Sequence, residues 1–364
     1  MKNIGYRHIL KERSINALRK SIMYFSLFTL SFFTLTASAQ IGSWSVYPAY
    51  TVSTYHQSVG KRVYSIMEGK LMAYDVEDGS ITTFDWLQQL SDVTVSFIRY
   101  CADANRIVIV YDNGNIDLLS VNDDYDVINL AQLKNSLIPN KNVHYVQVKG
   151  TKAYLCTEFG MVVVDVAQGL ISESYELGLN VSSCALTDSH LFIGTTTGLW
   201  RGNLSDNLKD KNNWTQLETY FNAQHMETFS GNVWIHVGTY LVVMNSDEET
   251  WTTLHAGTLN PVPTYMTVND GKLIIGNSKD LYIYESKNKV THLKGNSAWK
   301  CVTTRGSEYW VSEGIDGLQS YKLNGNNFEL TRSKIPPNSP THSYSFHLRW
   351  AGDKLMVSGG NRHF

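Results

Sequence analysis

Seven times along the chain an apolar run meets a short turn rich in Gly, Asp or Asn and doubles back into a second apolar run. The copies are RVYSIMEGKLMAYDV (62–76), RIVIVYDNGNIDLLSV (106–121), KAYLCTEFGMVVVDV (152–166) and HLFIGTTTGLWRGNL (190–204). NVWIHVGTYLVVMN (232–245), KLIIGNSKDLYIYES (272–286) and EYWVSEGIDGLQSYKL (308–323) complete the set. The first apolar residues after the turns are Leu71, Ile116, Val162, Leu199, Leu241, Leu281 and Leu318, with successive gaps of 45, 46, 37, 42, 40 and 37 residues. Val, Ile, Tyr and Leu in these runs suit a pleated, half-buried surface. Gly160, closing the turn Glu158-Phe159-Gly160, suits a backbone that other residues avoid.

A period of about 40–45 residues built only from short strands is the signature of a β-propeller with four strands per blade. Further strands fall where that architecture needs them. HYVQVKG (144–150), VSSCALT (181–187) and AWKCVTT (298–304) precede a hairpin and read as inner strands. NWTQLET (213–219), TWTTLHA (250–256) and KVTHLKG (289–295) follow one and read as outer strands. A parallel α/β fold would need amphipathic helices between strands, and the helix candidates are as short as LAQLKNSLI (130–138). The predicted fold is all-β: a seven-bladed propeller of four-stranded antiparallel blades over residues 40–333. GSWSVYP (42–48) resembles the outer strands, so closure of the last blade by an N-terminal strand is expected; NNFELTRS (326–333) competes for that slot from the C-terminal side, and pairing of both in a five-stranded blade is the third arrangement.

Two segments flank the ring. Residues 1–39 read as a secretory signal peptide: a basic leader, an apolar run from Ile22 to Leu35, and Ala37-Ser38-Ala39 ahead of a cut before Gln40. That run is shorter than the roughly 20 residues a membrane-spanning helix needs. Cleavage removes six of the 31 basic and one of the 33 acidic residues and leaves a net charge of −7. An acidic balance excludes the basic footprint that nucleic-acid binding requires. No second apolar run reaches spanning length, so the mature chain is expected to be a soluble exported protein. At the other end, Pro336, Pro337 and Pro340 mark residues 334–342 as a linker. Residues 343–364, with YSFHLRWAGDKLMVSGG (344–360), read as the start of a second propeller that stops mid-blade, as in a fragment of a longer protein.

Chemistry-bearing motifs are sparse. HExxH, GxSxG and paired Cys/His metal spacings do not occur. Gly198 in GTTTGLW lacks the Lys-Ser/Thr and helix of a phosphate loop and reads as a turn glycine. His342 and His347 have no spacing that argues for a metal. The acidic runs DVEDG, NDDYD and NSDEE fall between strands as solvated turns, without calcium-ligand spacing. No cofactor or metal is implied, and no catalytic residue stands out. Cys101, Cys156, Cys184 and Cys301 are irregularly spaced. Three of them fall in inner strands of different blades, which makes them packing residues and poor disulfide partners. Aromatics make up 12% of the chain, and most fall in strands. Trp86, Tyr220, Phe221, Tyr265 and Trp299 lie at joints between blades, where rim residues of propellers meet ligands; they are the candidate ligand-binding residues, suited to stacking on a glycan.

IGSWSVYPAY (41–50), LSDVTVSFIRY (90–100), VYDNGNIDLLS (110–120) and AYLCTEFGMVVVDV (153–166) together resemble the N-terminal propeller of the PorZ family, components of the type IX secretion system of Bacteroidota. FHLRWAGDKLMVSGG (346–360) resembles that family's passage into a second propeller. The resemblance implies two propellers followed by a sorting domain, and a place at the cell surface beside the sortase PorU with PorV and PorQ. It also implies a non-catalytic binding and assembly role and contact with anionic lipopolysaccharide. FIGTTTGLW (192–200) is less specific, since it also resembles the propeller repeats of periplasmic two-component regulators. A glycan-sensing propeller of a hybrid two-component system is therefore the alternative reading.

Overall fold

The computed structural model describes residues 46–364 apart from 220–221, 246–249, 256, 295–298, 313–316, 326, 334, 338, 341–344, 353 and 360–364. Seven four-stranded antiparallel sheets follow one another in chain order. Blade 1 holds β1–β4 (Ser53–Val59, Arg62–Met67, Lys70–Asp75, Ile81–Phe84), and blade 2 holds β5–β8 (Val95–Cys101, Arg106–Tyr111, Ile116–Ser120, Val127–Leu130). One helical turn, α1 (Gln132–Asn135), precedes blade 3, which holds β9–β12 (Val143–Lys149, Lys152–Thr157, Gly160–Asp165, Leu170–Glu176). Blade 4 is β13–β16 (Val181–Leu186, His190–Thr195, Gly198–Asn203, Trp214–Glu218), and blade 5 is β17–β20 (His225–Phe229, Asn232–Val237, Tyr240–Asn245, Thr250–His255). Blade 6 is β21–β24 (Tyr265–Asn269, Lys272–Gly276, Asp280–Ser286, Lys289–Lys294), and blade 7 is β25–β28 (Val302–Arg305, Glu308–Ser312, Leu318–Asn324, Asn327–Arg332). A separate two-stranded sheet, β29–β30 (Ser345–Ala351, Lys354–Gly359), follows.

Each expected hairpin is the second and third strand of a blade. Alternation along these strands sends side chains to both faces, and both faces are covered. In β10, Leu155 packs toward blade 2 while Tyr154 and Cys156 pack toward blade 4. The strands therefore read as nearly continuous apolar runs. The hairpin turns of blades 3 and 4 share one device. Thr157 Oγ1 donates to Gly160 O at 2.9 Å, and Thr195 Oγ1 donates to Gly198 O at 2.8 Å. Gly160 (φ 142°) and Gly198 (φ 127°) each bring the outer strand so close that an added Cβ would sit 1.9 Å from a carbonyl oxygen, of Tyr175 and Glu218 respectively. No other residue fits there without moving backbone. The acidic turn DVEDG (75–79) closes on itself: Asp78 Oδ1 accepts from Ser80 N at 2.8 Å, and Asp75 Oδ1 from Glu77 N at 3.0 Å.

Neighbouring inner strands pack side by side around the axis, and β1 against β25 completes the circle. This corrects the expected closure. The outer position of blade 7 is filled by β28, from the C-terminal side, and among the described residues the sheet holds four strands. Residues 46–48 are not strand, and 42–45 lie outside the described residues. The ring instead closes face to face. Tyr50, Val63, Met67 and Met72 of the first blade region pack on Trp310, Leu318 and Ile335. Ser53 Oγ donates to Gly317 O at 3.0 Å, and Arg305 Nε donates to Gly60 O at 2.9 Å. Residues entering the proline-rich stretch belong to this seam, since Ile335 N donates to Leu318 O at 3.0 Å.

Candidate functional site

The two ends of the axis differ in construction. At one end, each inner strand turns tightly into the second strand; at the other, the outer strand of one blade passes to the inner strand of the next. Midway, three inner strands send polar side chains across the channel. Arg99 of β5 donates through Nη2 to Gln147 Oε1 of β9 at 2.7 Å and to Glu227 Oε1 and Oε2 of β17 at 3.0 and 3.1 Å. Gln147 Nε2 donates to Glu227 Oε2 at 2.9 Å, and the Tyr145 hydroxyl donates to Glu227 Oε1. Arg99 is 7% exposed, Gln147 4% and Glu227 1%, so a charge pair is held away from water.

Desolvation disfavours charge, and only close partners offset it. Burial pulls Arg99 down, but the Glu227 carboxylate, with Tyr145 and Tyr55 beside it, outweighs that and holds the guanidinium well above its ordinary value. Burial, then the Glu227 charge, raises Tyr145 well above its ordinary value. Burial also pushes Tyr55, next to Arg99, up to about 12. The network is a self-satisfied brace joining blades 2, 3 and 5. Both Glu227 oxygens are occupied by donors, so it is not poised as a general base.

Above the brace, at the tight-turn end, opens a pocket of about 530 Å³. Its floor is Arg99, Gln147 and Glu227, and its wall carries Gln57, Asp103, Lys149, Thr187, Asp188 and Ser189. Lys149 Nζ donates to Asp188 Oδ1 at 2.9 Å and also to Thr187 O. These amide, hydroxyl and paired ionic groups suit hydrogen bonding to a polar ligand. Among the described residues no group of three or more His, Cys, Asp or Glu is placed to hold a metal ion.

Of the aromatic candidates, Trp86, Tyr265 and Trp299 lie on segments at the opposite, blade-to-blade end. Trp86, 50% exposed on the β4–β5 joint, borders a shallow cleft with Pro48, Lys70 and Val93. Tyr265, at the start of β21, is buried, with its hydroxyl against Gly276. Trp299 is buried too, with ring centroids 5.4 Å from Tyr321 and 5.1 Å from Phe328. Tyr265 and Trp299 thus serve one core between blades 6 and 7 and present no open face for stacking. Tyr220 and Phe221 lie outside the described residues, as do Ala37, Ala39 and Gln40. Sequence reasoning missed the brace, whose members are 48 to 128 positions apart. The available signal was a polar residue inside each of three apolar inner strands: Arg99 in VSFIRYC, Gln147 in VHYVQVK and Glu227 in HMETF.

Residues 63–215, spanning most of blades 1–4, match the family model of the type IX secretion PorZ N-terminal β-propeller domain. The matched blades are similar to a PorZ N-terminal propeller. The solved structure of PorZ from Porphyromonas gingivalis, described as an essential bacterial surface component of the type IX secretion system, superposes with a TM-score of 0.76 at 24% identity. The match covers 87% of this chain, which spans 42% of the PorZ chain. Two other solved structures share the fold more distantly. The computationally designed Ika8 protein matches at TM-score 0.55 and 11% identity, over 86% of this chain and 95% of its own. The extracellular domain of a hybrid two-component system of B. thetaiotaomicron matches at TM-score 0.56 and 10% identity, over 85% of this chain and 50% of its own. No curated protein matches the sequence. Among the described residues, no helix is long and apolar enough to cross a membrane.

Proposed function

We propose that this PorZ-type ring is a non-catalytic binding and assembly module of a type IX secretion system surface component. The observation that carries the reading is the match of blades 1–4 to the PorZ propeller model. Export by the N-terminal leader, residence at the outer-membrane surface, and contact with PorU-, PorV- and PorQ-like proteins belong to the same proposal. So does contact with a lipopolysaccharide glycan. The polar pocket at the tight-turn end supports a ligand rich in hydroxyl groups better than the buried Tyr265 and Trp299 do. Of the rim candidates, Trp86 keeps an open ring for such contact.

The same reading makes β29–β30 the first strands of a second propeller. Leu348 and Val357 pair across the two strands and stay 56% and 47% exposed, with Trp350 70% exposed. A blade's second pair of strands and its neighbour would cover such a face. The two-component sensor reading rests on fold likeness at 10% identity, which does not carry function.

The test is affinity capture of the tagged chain from solubilised outer membranes of its host, with secretion of sorting-domain cargo measured in a deletion strain. Recovery of sortase-complex proteins and retention of cargo in the deleted strain are expected. Capture without any secretion component, together with normal cargo release, would sink the proposal. Titration of the purified ring with outer-membrane lipopolysaccharide separates the glycan contact from the protein contacts.

A further inference from the structure

The pocket at the tight-turn end is not neutral once its ion pairs are set aside. Its lining carries two cations, Arg99 and Lys149, and three carboxylates, Asp103, Asp188 and Glu227. Arg99 is held by Glu227 at 3.0 Å, and Lys149 by Asp188 at 2.9 Å. Lys149 also donates to Thr187 O, so its ammonium is turned toward blade 4. The carboxylate left over is Asp103, on the turn between β5 and β6. It is exposed and has no hydrogen-bond or ion-pair partner among the described residues. Its Oδ2 leans over the neighbouring blade, 4.0 Å from where a Cβ on Gly150 would stand. Most other polar groups of the wall are committed. Thr187 Oγ1 accepts from His190 N at 3.1 Å, Thr228 Oγ1 donates to Leu186 O at 2.7 Å, and Ser189 Oγ is 2.8 Å from His190 Nδ1. Gln57 accepts from Tyr100 N at 2.7 Å through Oε1, which leaves its amide NH2 as a free donor. A bound molecule therefore meets one uncommitted carboxylate, one uncommitted amide, and a floor whose charges cancel.

We propose that this pocket binds an amino sugar with a free amine, and that Asp103 recognises its ammonium group. A carboxylate facing an ammonium attracts it, and a like charge in its place is repelled. A phosphate or a uronic acid would meet Asp103 with no cation free to offset it. Drawing Arg99 away would strand Glu227, which is 1% exposed, at the cost of an unpaired buried charge. The pocket thus selects against polyanions by repulsion as well as for amines by attraction. Its volume of about 530 Å³ lies within the range of small-molecule sites and is too wide for one lysine side chain to fill. Amide and paired ionic groups around that volume suit the hydroxyls of a short saccharide. The inference rests on the reading of this pocket as the site of a hydroxyl-rich ligand and narrows it: the part of a glycan held here is an amino sugar, and its anionic groups stay outside.

The experiment is calorimetric titration of the purified full chain at mildly acidic pH, where sugar amines are charged. The probes are chitobiose (the glucosamine dimer with both amines free), its di-N-acetylated form, and trilysine. Chitobiose should bind, and the acetylated dimer should bind about fivefold more weakly. Asp103→Asn should lower chitobiose affinity about fivefold, leave the acetylated dimer unchanged and so erase the preference. Its Tm should match that of the parent chain, because the Asp103 side chain is exposed and unpaired. Absence of chitobiose binding, equal affinity for the two dimers, or a preference that survives Asp103→Asn overturns the proposal. Trilysine binding more tightly than chitobiose overturns it too, in favour of a basic peptide. Lipopolysaccharide that binds equally to the parent and to Asp103→Asn, while chitobiose does not bind, sinks the amine site and leaves the surface reading standing. Failure to capture secretion components from the host, with chitobiose still bound, does the reverse.

Discussion

At the axis, Arg99, Gln147, Tyr145 and Glu227 join blades 2, 3 and 5 through charge and hydrogen bonds. At the seam between blades 7 and 1, Tyr50, Met67, Trp310, Leu318 and Ile335 join by apolar packing. Both regions are buried and both bridge segments far apart in sequence, yet their energetics differ in kind. Apolar burial is favourable by itself, at about 25 cal/mol per Å². A buried ion pair must first recover the desolvation of both charges, and replacing the whole pair by apolar residues is often neutral or stabilising. The seam therefore stabilises the ring outright, as the apolar cores between the other blades do. The axis network links strands of blades 2, 3 and 5 and lines the pocket at the tight-turn end.

The largest effects should come from breaking each region on one side only. Glu227→Ala strands the Arg99 charge and should destabilise the ring by about 3–5 kcal/mol. Trp310→Ala opens the closing seam and should cost about 3–5 kcal/mol. Urea unfolding at neutral pH reads both. The comparison is sharpened by the double replacement Arg99→Met with Glu227→Leu, which should recover most of the loss seen with Glu227→Ala. A double variant as unstable as the single would mean that the axis charges are themselves a main support of the fold.

The next effect separates the regions by pH. Burial lowers His56 to about 3, and burial with His236 nearby lowers His225 to about 4, both from 6.5. Below pH 6.5 the unfolded chain takes up protons that these folded histidines refuse until about 4 and 3. Their contribution is complete above pH 6.5 and is lost as pH falls through that window. The loss should be about 2 kcal/mol per histidine between pH 6.5 and pH 5. His56, bonded to Ser65 at 2.9 Å and beside the Val311 backbone of blade 7, puts part of this acid sensitivity at the seam. His56→Gln should flatten the change in urea midpoint between pH 7 and pH 5 by about half; an unchanged slope removes the seam from the explanation. The smallest effect expected is Trp86→Ala, within about 0.5 kcal/mol on stability. Any loss of lipopolysaccharide affinity in that variant would then report contact at the blade-to-blade end.

The hairpins were legible because each is local: two apolar runs and a turn residue lie within fifteen or so positions, and strand periodicity repeats seven times. Gly160 and Gly198 were readable as turn glycines for the same reason. The candidate site was less legible. Trp299 and Tyr265 carry the composition of a ligand platform, but neighbouring blades cover their rings. Arg99 and Glu227 look like isolated polar residues in apolar strands until the circle brings β5 and β17 across the axis.

The sequence by itself determined the all-β class, the seven repeats and the order of strands within each blade, because pleat, turn and burial are set by residues close along the chain. Only the tertiary structure decided how the ring closes, that the outer strand of blade 7 is β28 and not an N-terminal strand, and which polar residues meet at the axis. Those contacts depend on the angle at which whole blades pack, and that angle is fixed by seven sheet-to-sheet interfaces acting together.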